Sequence, residues 1–204
     1  MKRYLPLFAL PLLAAPIVAQ QMMKPGTADR TKVTAGTYTA DPSHSAVAFE
    51  VNHLGFSDYP GLIGDLSGSL TIDPANMAAT KVEVSVPIAS IYTTSSKLTG
   101  ELKGERWFNA AKNPNATFVS TGVTRDAKDP TKAKVAGNLT IMGVTKAVVA
   151  DVEFTGAGVH PFNKKNVVGF EAEIDIKRSD FGLGAMLPAV GDEVELEISA
   201  EFQK

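Results

Sequence analysis

Alternation of apolar and polar residues constrains this chain more than any other feature. Successive side chains of a strand point to opposite faces, so a period of two gathers every second residue on one side. In 65–72, Leu66, Gly68, Leu70 and Ile72 alternate with Asp65, Ser67, Ser69 and Thr71. In 81–88, Val82, Val84, Val86 and Ile88 oppose Lys81, Glu83 and Ser85. The pattern repeats through 134–141, 148–155, 168–177 and 193–202, and more loosely through 44–52 and 115–123. That makes eight strands, each with one apolar face. Parallel sheets sheathed by helices would show continuous apolar runs instead, so the expected class is all-β and antiparallel.

Little else is regular. Only 94–109 reads as helical, with Leu98, Leu102 and Phe108 as its buried positions, and Gly100 and Gly104 weaken it. Met142-Gly143 fits a tight hairpin, with the glycine supplying a positive φ. Gly156-Ala157-Gly158 and Gly182-Leu183-Gly184 read as turns, because a dinucleotide site needs a third glycine and a βαβ setting. The stretch 55–64 reads as a loop.

Eight half-buried strands can close into a barrel or stack as a sandwich, and periodicity does not choose. Gly68, Gly137, Ala150, Ala172 and Ala200 all fall on the apolar face. They leave room for a ligand inside a barrel, unless larger neighbours fill the gaps.

The N-terminus reads as an address. A basic start, Met1-Lys2-Arg3, precedes an apolar run from Leu5 to Ala15 and a small-residue cleavage site at Ile17-Val18-Ala19. The run falls short of the roughly 20 residues that a membrane helix needs, and Pro6, Pro11 and Pro16 interrupt it. Residues 1–19 are therefore expected to be a cleaved secretory signal and 20–35 a flexible leader. Residues 36–204 form the domain, placed in the periplasm. Loss of Lys2 and Arg3 takes the net charge from −2 to −4, which leaves no basic footprint for nucleic acid. The absence of cysteine removes disulfides, thiolate nucleophiles and a lipoprotein anchor.

The search for chemistry returns few groups. There is no G-x-S-x-G elbow and no phosphate-binding loop. Three histidines occur: His44, His53 and His160. His44 and His53 sit nine positions apart in one strand-like stretch, about 30 Å if extended, which argues against a shared metal. His44 is expected to fix the start of a strand. The segment 181–190 is apolar for a loop, carrying Phe181, Leu183, Met186, Leu187 and Val190 without a charge. It suits a flap across the end of the fold or a portal for an apolar ligand, as do Phe56, Tyr59 and Leu62. Arg178 is expected to pair with Asp180, with an anionic head group as its alternative partner.

Taken in order, further residues resemble the YceI-like family of polyisoprenoid-binding proteins. They are Asp41-Pro-Ser-His-Ser45 leading into Phe49, Val51 and His53; Gly61 and Gly64; and Ser90-Ile-Tyr-Thr93. Trp107-Phe-Asn109 follows, then Pro114, Phe118 and Ser120. Val135-Ala-Gly-Asn-Leu-Thr-Ile-Met-Gly-Val-Thr-Lys146, Arg178-Ser-Asp-Phe-Gly-Leu183 and Val190-Gly-Asp-Glu-Val194 complete the set. The resemblance spans about Thr37 to Phe202. One departure is Thr99-Gly-Glu-Leu102, where the family often carries Asp-x-His-Leu. The resemblance implies an eight-stranded, lipocalin-like antiparallel barrel with one short helical insertion. Its apolar tunnel would hold an isoprenoid lipid, polyprenyl or quinone-type.

On that basis the expected tunnel lining is Phe49, Leu70, Val84, Phe118, Leu139, Phe154, Phe170, Ile174 and Ile198, with Phe108 and Phe181 closing an end. The expected function is a periplasmic lipid carrier, not an enzyme, needing no cofactor or metal. Transient membrane contact and a homodimer are compatible with it. Two rivals stand beside it. One is a hydrolase-like enzyme on a small apolar substrate with His44 or His53 as base. The other is an interaction module of a membrane redox or stress system, meeting a basic partner through an acidic face.

Overall fold

Single-faced strands bury their apolar side only by packing on another layer or by closing on themselves. In the computed structural model, which describes residues 24–204, they close. Residues 1–19, expected to be a secretory signal, and the first residues of the expected leader lie outside the described range. The strands are β1 Gly36–Ala40, β2 Ala46–His53, β3 Ser57–Ile63, β4 Ser67–Ile72, β5 Lys81–Pro87 and β6 Ile91–Tyr92. They continue with β7 Asn115–Arg125, β8 Lys132–Ile141, β9 Val144–Val159, β10 Asn166–Lys177 and β11 Val190–Gln203.

Every pairing among them is antiparallel, and a β1–β11 contact shuts the sheet. Three walls are broken strands: β1 and β2 pair with β4 and β3 in turn, while β4 and β3 pair with β5 and β6. Counted as walls, β1/β2, β3/β4 and β5/β6 join β7–β11 in a closed eight-stranded up-and-down barrel. Each of the eight expected strands falls in one wall. The stretch 55–64 is a correction, because most of it is β3. Pro60 and Gly61 disguise it. Pro60 lies on the part of β3 that β6 does not reach, since β6 meets only Leu62 and Ile63, and an edge tolerates a missing N–H.

The glycines show how the inner face is filled. A Cβ on Gly61 would overlap the Phe49 ring, and one on Gly137 would overlap the Phe118 ring. In both places an aromatic from the neighbouring strand covers the gap. Gly68 has a φ of 134°, and a Cβ there would fall 2.7 Å from Val84 Cα, so the backbones themselves approach. The Met142-Gly143 hairpin is as expected, with φ of 51° and 75°, the pair of positive values a type I′ turn requires.

Gly156-Ala157-Gly158 is not a turn but part of β9. β9 outruns β8, whose last partner there is Glu153, and leaves backbone groups needing partners. Thr27 supplies them, donating to Ala157 O at 3.1 Å and accepting from Ala157 N at 2.9 Å. A Cβ on Gly158 would collide with the Pro25 carbonyl. The described part of the leader, expected to be flexible, thus touches the barrel at Thr27 through an isolated bridge to Ala157. A 3-10 turn at Arg30–Lys32, capped by Asp29, belongs to it.

The helix is shorter than 94–109. Ser95 caps it by accepting from Leu98 N at 3.3 Å, and α1, Ser96–Lys103, stops at extended Gly104. The connections alternate between two ends. One end carries the hairpin 54–56, the α1 segment 93–114, Met142-Gly143 and the segment 178–189. The other carries 73–80, 126–131 and 160–165. Near this second end Phe170 stacks edge-on against Phe154 and Phe202, with centroids 5.8 and 6.4 Å apart. Such pairs add about 0.5–1.5 kcal/mol each beyond their buried area.

Candidate ligand cavity

The barrel does not fill its own interior. A cavity of about 670 Å³ runs from Met77 and Ala133, near the aromatic end, to His53 and Arg106 at the other. Apolar side chains of every wall line it. Its ionisable neighbours are His53, Tyr59, Glu101, Arg106 and Arg178, all at the end that carries α1. Four of the lining residues are exposed: His53, Glu101, Arg106 and Met186. They mark the mouth. On β11 the inward Val194, Leu196, Ile198 and Ala200 are only half-buried, because no side chain opposite reaches them.

Nine of the eleven expected residues line the cavity: Phe49, Leu70, Val84, Phe108, Phe118, Leu139, Phe170, Ile174 and Ile198. Phe154 does not. It sits beyond the last β8–β9 pair, opposite a register shift at Gly169/Phe170, and is buried against Phe170. Phe181 is 1% exposed but belongs to the 3-10 turn Arg178–Phe181, which replaces the strand period, and Leu183 lines the cavity instead. Of the small residues, Ala150, Ala172 and Ala200 do border the space. Trp107, from the turn past α1, also lines the cavity. Periodicity could not find it, since a turn has no period; only its place among the family markers singled it out.

Arg178 organises the mouth. The expected pair with Asp180 does not form. The guanidinium donates through Nε to Gly191 O at 2.6 Å, through Nη2 to Val190 O at 2.8 Å and through Nη1 to Ala185 O at 2.9 Å and Leu183 O. Its planar fork of donors suits converging carbonyls in a way no carboxylate partner needs. Burial pushes the guanidinium pKa down and Asp192 pushes it back, but an arginine stays charged. The ring of Trp107 lies 5.7 Å from it. Asp192 in turn accepts from Ser179 N at 2.9 Å and Ser179 Oγ at 2.8 Å, which lowers its pKa. The segment 181–190 thus both covers and borders the opening: Phe181 and Leu183 are buried, while Met186 and Leu187 are exposed.

The departure at Thr99-Gly-Glu-Leu102 has a visible consequence. Thr99 Oγ1 accepts from Thr93 N at 2.9 Å and lies 3.0 Å from Thr93 Oγ1, tying α1 to the residue that follows β6. Glu101 stands at the mouth. The histidines are not drawn together. His44 Nδ1 meets Asp41 Oδ2 at 2.9 Å in the turn between β1 and β2, outside the cavity. It fixes the strand start, as expected. Glu201 lies close enough to complete a three-ligand cluster with them on the surface. Exposed His53 sits on the rim.

Residues 38–202 match the family model described as the YceI-like domain. The chain belongs to the YceI-like family. It is 39% identical over 158 residues to Protein YceI of Escherichia coli, covering 78% of this chain and 81% of that one. Among solved structures, Burkholderia cenocepacia BcnA superposes with a TM-score of 0.70 at 26% identity, over 79% of this chain and 98% of that one. A polyisoprenoid binding domain from Saccharophagus degradans superposes with a TM-score of 0.59 at 16% identity, over 81% and 97%. At that identity the likeness is one of fold. The YceI-like barrel therefore carries a large apolar cavity with its mouth at the end that bears α1.

Proposed function

We propose that this YceI-like protein is a periplasmic carrier that holds the chain of an isoprenoid lipid in its barrel, and that it works by binding rather than catalysis. The observation that carries the reading is a large cavity without a charged group beyond its mouth. While some 670 Å³ of apolar space stays empty, its walls forfeit the dispersion contacts that an occupant would supply. Water has few partners on such walls, so an apolar occupant is favoured. Burial of its surface supplies roughly 25 cal/mol per Å², less ordering costs. The likeness in fold to the polyisoprenoid binding domain from Saccharophagus degradans supports the choice of ligand. The secretory pattern of residues 1–19 supports the location.

The test is titration with a fluorescent prenyl analogue added from detergent. Wild type is expected to saturate at one site. Ala172→Phe and Ala200→Phe, which fill the cavity from the adjacent strands β10 and β11, should weaken binding at least tenfold while keeping the β-sheet circular dichroism. Equal binding by folded variants, or none by wild type, would refute the reading.

A further inference from the structure

Four large exposed apolar side chains gather beside the cavity mouth on two loops: Leu54 at 51%, Phe56 at 87%, Met186 at 49% and Leu187 at 39% exposure. Leu54 N donates to Ala189 O at 2.8 Å, and Val190 pairs with His53, so the hairpin 54–56 and the segment 186–189 form one platform. Arg106 Nη2 lies 3.1 Å from Met186 Sδ and joins the turn past α1 to it. Met186 is both platform and cavity wall. The apolar lining therefore runs without a break onto the outer surface, where contiguous apolar area marks an interaction site.

Charge says which way the platform faces. The wall of β2, β11 and β10 carries like charges directly opposite one another: Glu50 against Glu195, Glu195 against Asp175, and Glu197 against Glu173. The α1 segment beside the mouth is different, with Lys97, Lys103, Arg106 and Lys112 against Glu101 and Glu105. With exposed Asp58 and Asp180 also at this end, the mouth is close to neutral, so an anionic bilayer would repel the wall far more than the mouth.

We propose that the mouth rim is a membrane-docking surface: Leu54, Phe56, Met186 and Leu187 enter the interface of an anionic phospholipid bilayer and hold the cavity opening against it. This rests on the lipid-carrier reading, because a ligand that dissolves only in membranes must be taken from one without crossing water. Docking is peripheral. Among the described residues no helix is long and apolar enough to cross a membrane.

The experiment is co-flotation of the full chain with vesicles of phosphatidylethanolamine and phosphatidylglycerol. Wild type is compared with Phe56→Ser and with Leu54→Asn/Phe56→Ser. Neither residue lines the cavity, and asparagine accepts the positive φ of 57° at Leu54. Each apolar group removed should lower partitioning roughly tenfold. Prenyl-analogue binding from detergent should stay at the wild-type level, and exchange of that analogue between vesicles should slow. Equal flotation of wild type and variants overturns the proposal. So does a wild type that stays off the vesicles, or one that self-associates through this rim instead. Failure of wild type to bind the analogue from detergent would strike the carrier reading separately, since that assay involves no bilayer.

Discussion

Replacing Arg178 by alanine tests how the mouth is built. Arg178 is 5% exposed, and its guanidinium bonds four carbonyls spread over nine residues, from Leu183 to Gly191. Hydrogen bonds from a charged donor contribute about 1.5–3 kcal/mol each. Water can reach part of this segment once the side chain is gone, because Gly182 and Gly184 are exposed, so the four do not add in full. Each carbonyl left buried without a donor costs about 1–3 kcal/mol, and for Arg178→Ala we expect a total loss of about 3–5 kcal/mol. For a chain of this size it corresponds to a fall in Tm of about 10 °C. Urea denaturation followed by circular dichroism, with linear extrapolation to water, measures it. Arg178→Lys should fall between, since an ammonium cannot span carbonyls that the fork reaches from three nitrogens. A loss below about 1 kcal/mol for the alanine variant would show that the segment folds without its anchor, and the account of the mouth would be wrong.

Two glycines should respond in a fixed order. Gly68→Ala meets backbone at a positive φ and should cost about 3 kcal/mol or more, whereas Gly137→Ala meets the movable tip of Phe118 and should cost about 1–2 kcal/mol by overpacking; chemical denaturation ranks them. The hydrogen bond to Asp41 holds His44 above 6.5, and the bond from His44 holds Asp41 below 3.8. Their stabilisation is complete between those values, fades as pH rises through the raised His44 pKa, and fades as pH falls through the lowered Asp41 pKa. His44→Gln should remove the upper decline from a plot of urea midpoint against pH, and an NMR titration of the ring should read the upward shift directly. Glu195 is held above 4.5, first by Glu173, with Glu197, Asp175 and Glu50 adding to the repulsion. Its raised pKa makes the folded state relatively stable at acid pH, an advantage lost as pH rises through it. Glu195→Gln should therefore raise the urea midpoint at neutral pH, by an amount that shrinks with added salt and with acid.

Strand parity made most of this legible. Leu70, Val84, Leu139, Ile174 and Ile198 could be assigned to the inner face because each sits in a run where hydroxyl and charged residues occupy the other side. The same rule misplaced Phe154, since parity carries no information about where β8 stops and the cavity with it. Strand β1, Gly36–Ala40, was missed because five residues are too few to establish a period, and β3 because Pro60 and Gly61 look like a turn. Gly61 is in fact demanded by a ring from the adjacent strand. Arg106, Trp107 and the carbonyls around Arg178 lie in connections, where no period exists and only the folded chain brings partners together. The mouth was accordingly the least readable part, although the apolar composition of 181–190 pointed to it.

The central claim is that the cavity exists to hold a prenyl chain. Native mass spectrometry of the protein isolated from its own host without detergent tests it most directly. The account predicts a one-to-one adduct that dissociates, on collision, into a species whose mass fits a series of isoprene units. The unliganded protein alone, together with no uptake of an added prenyl lipid, would contradict it.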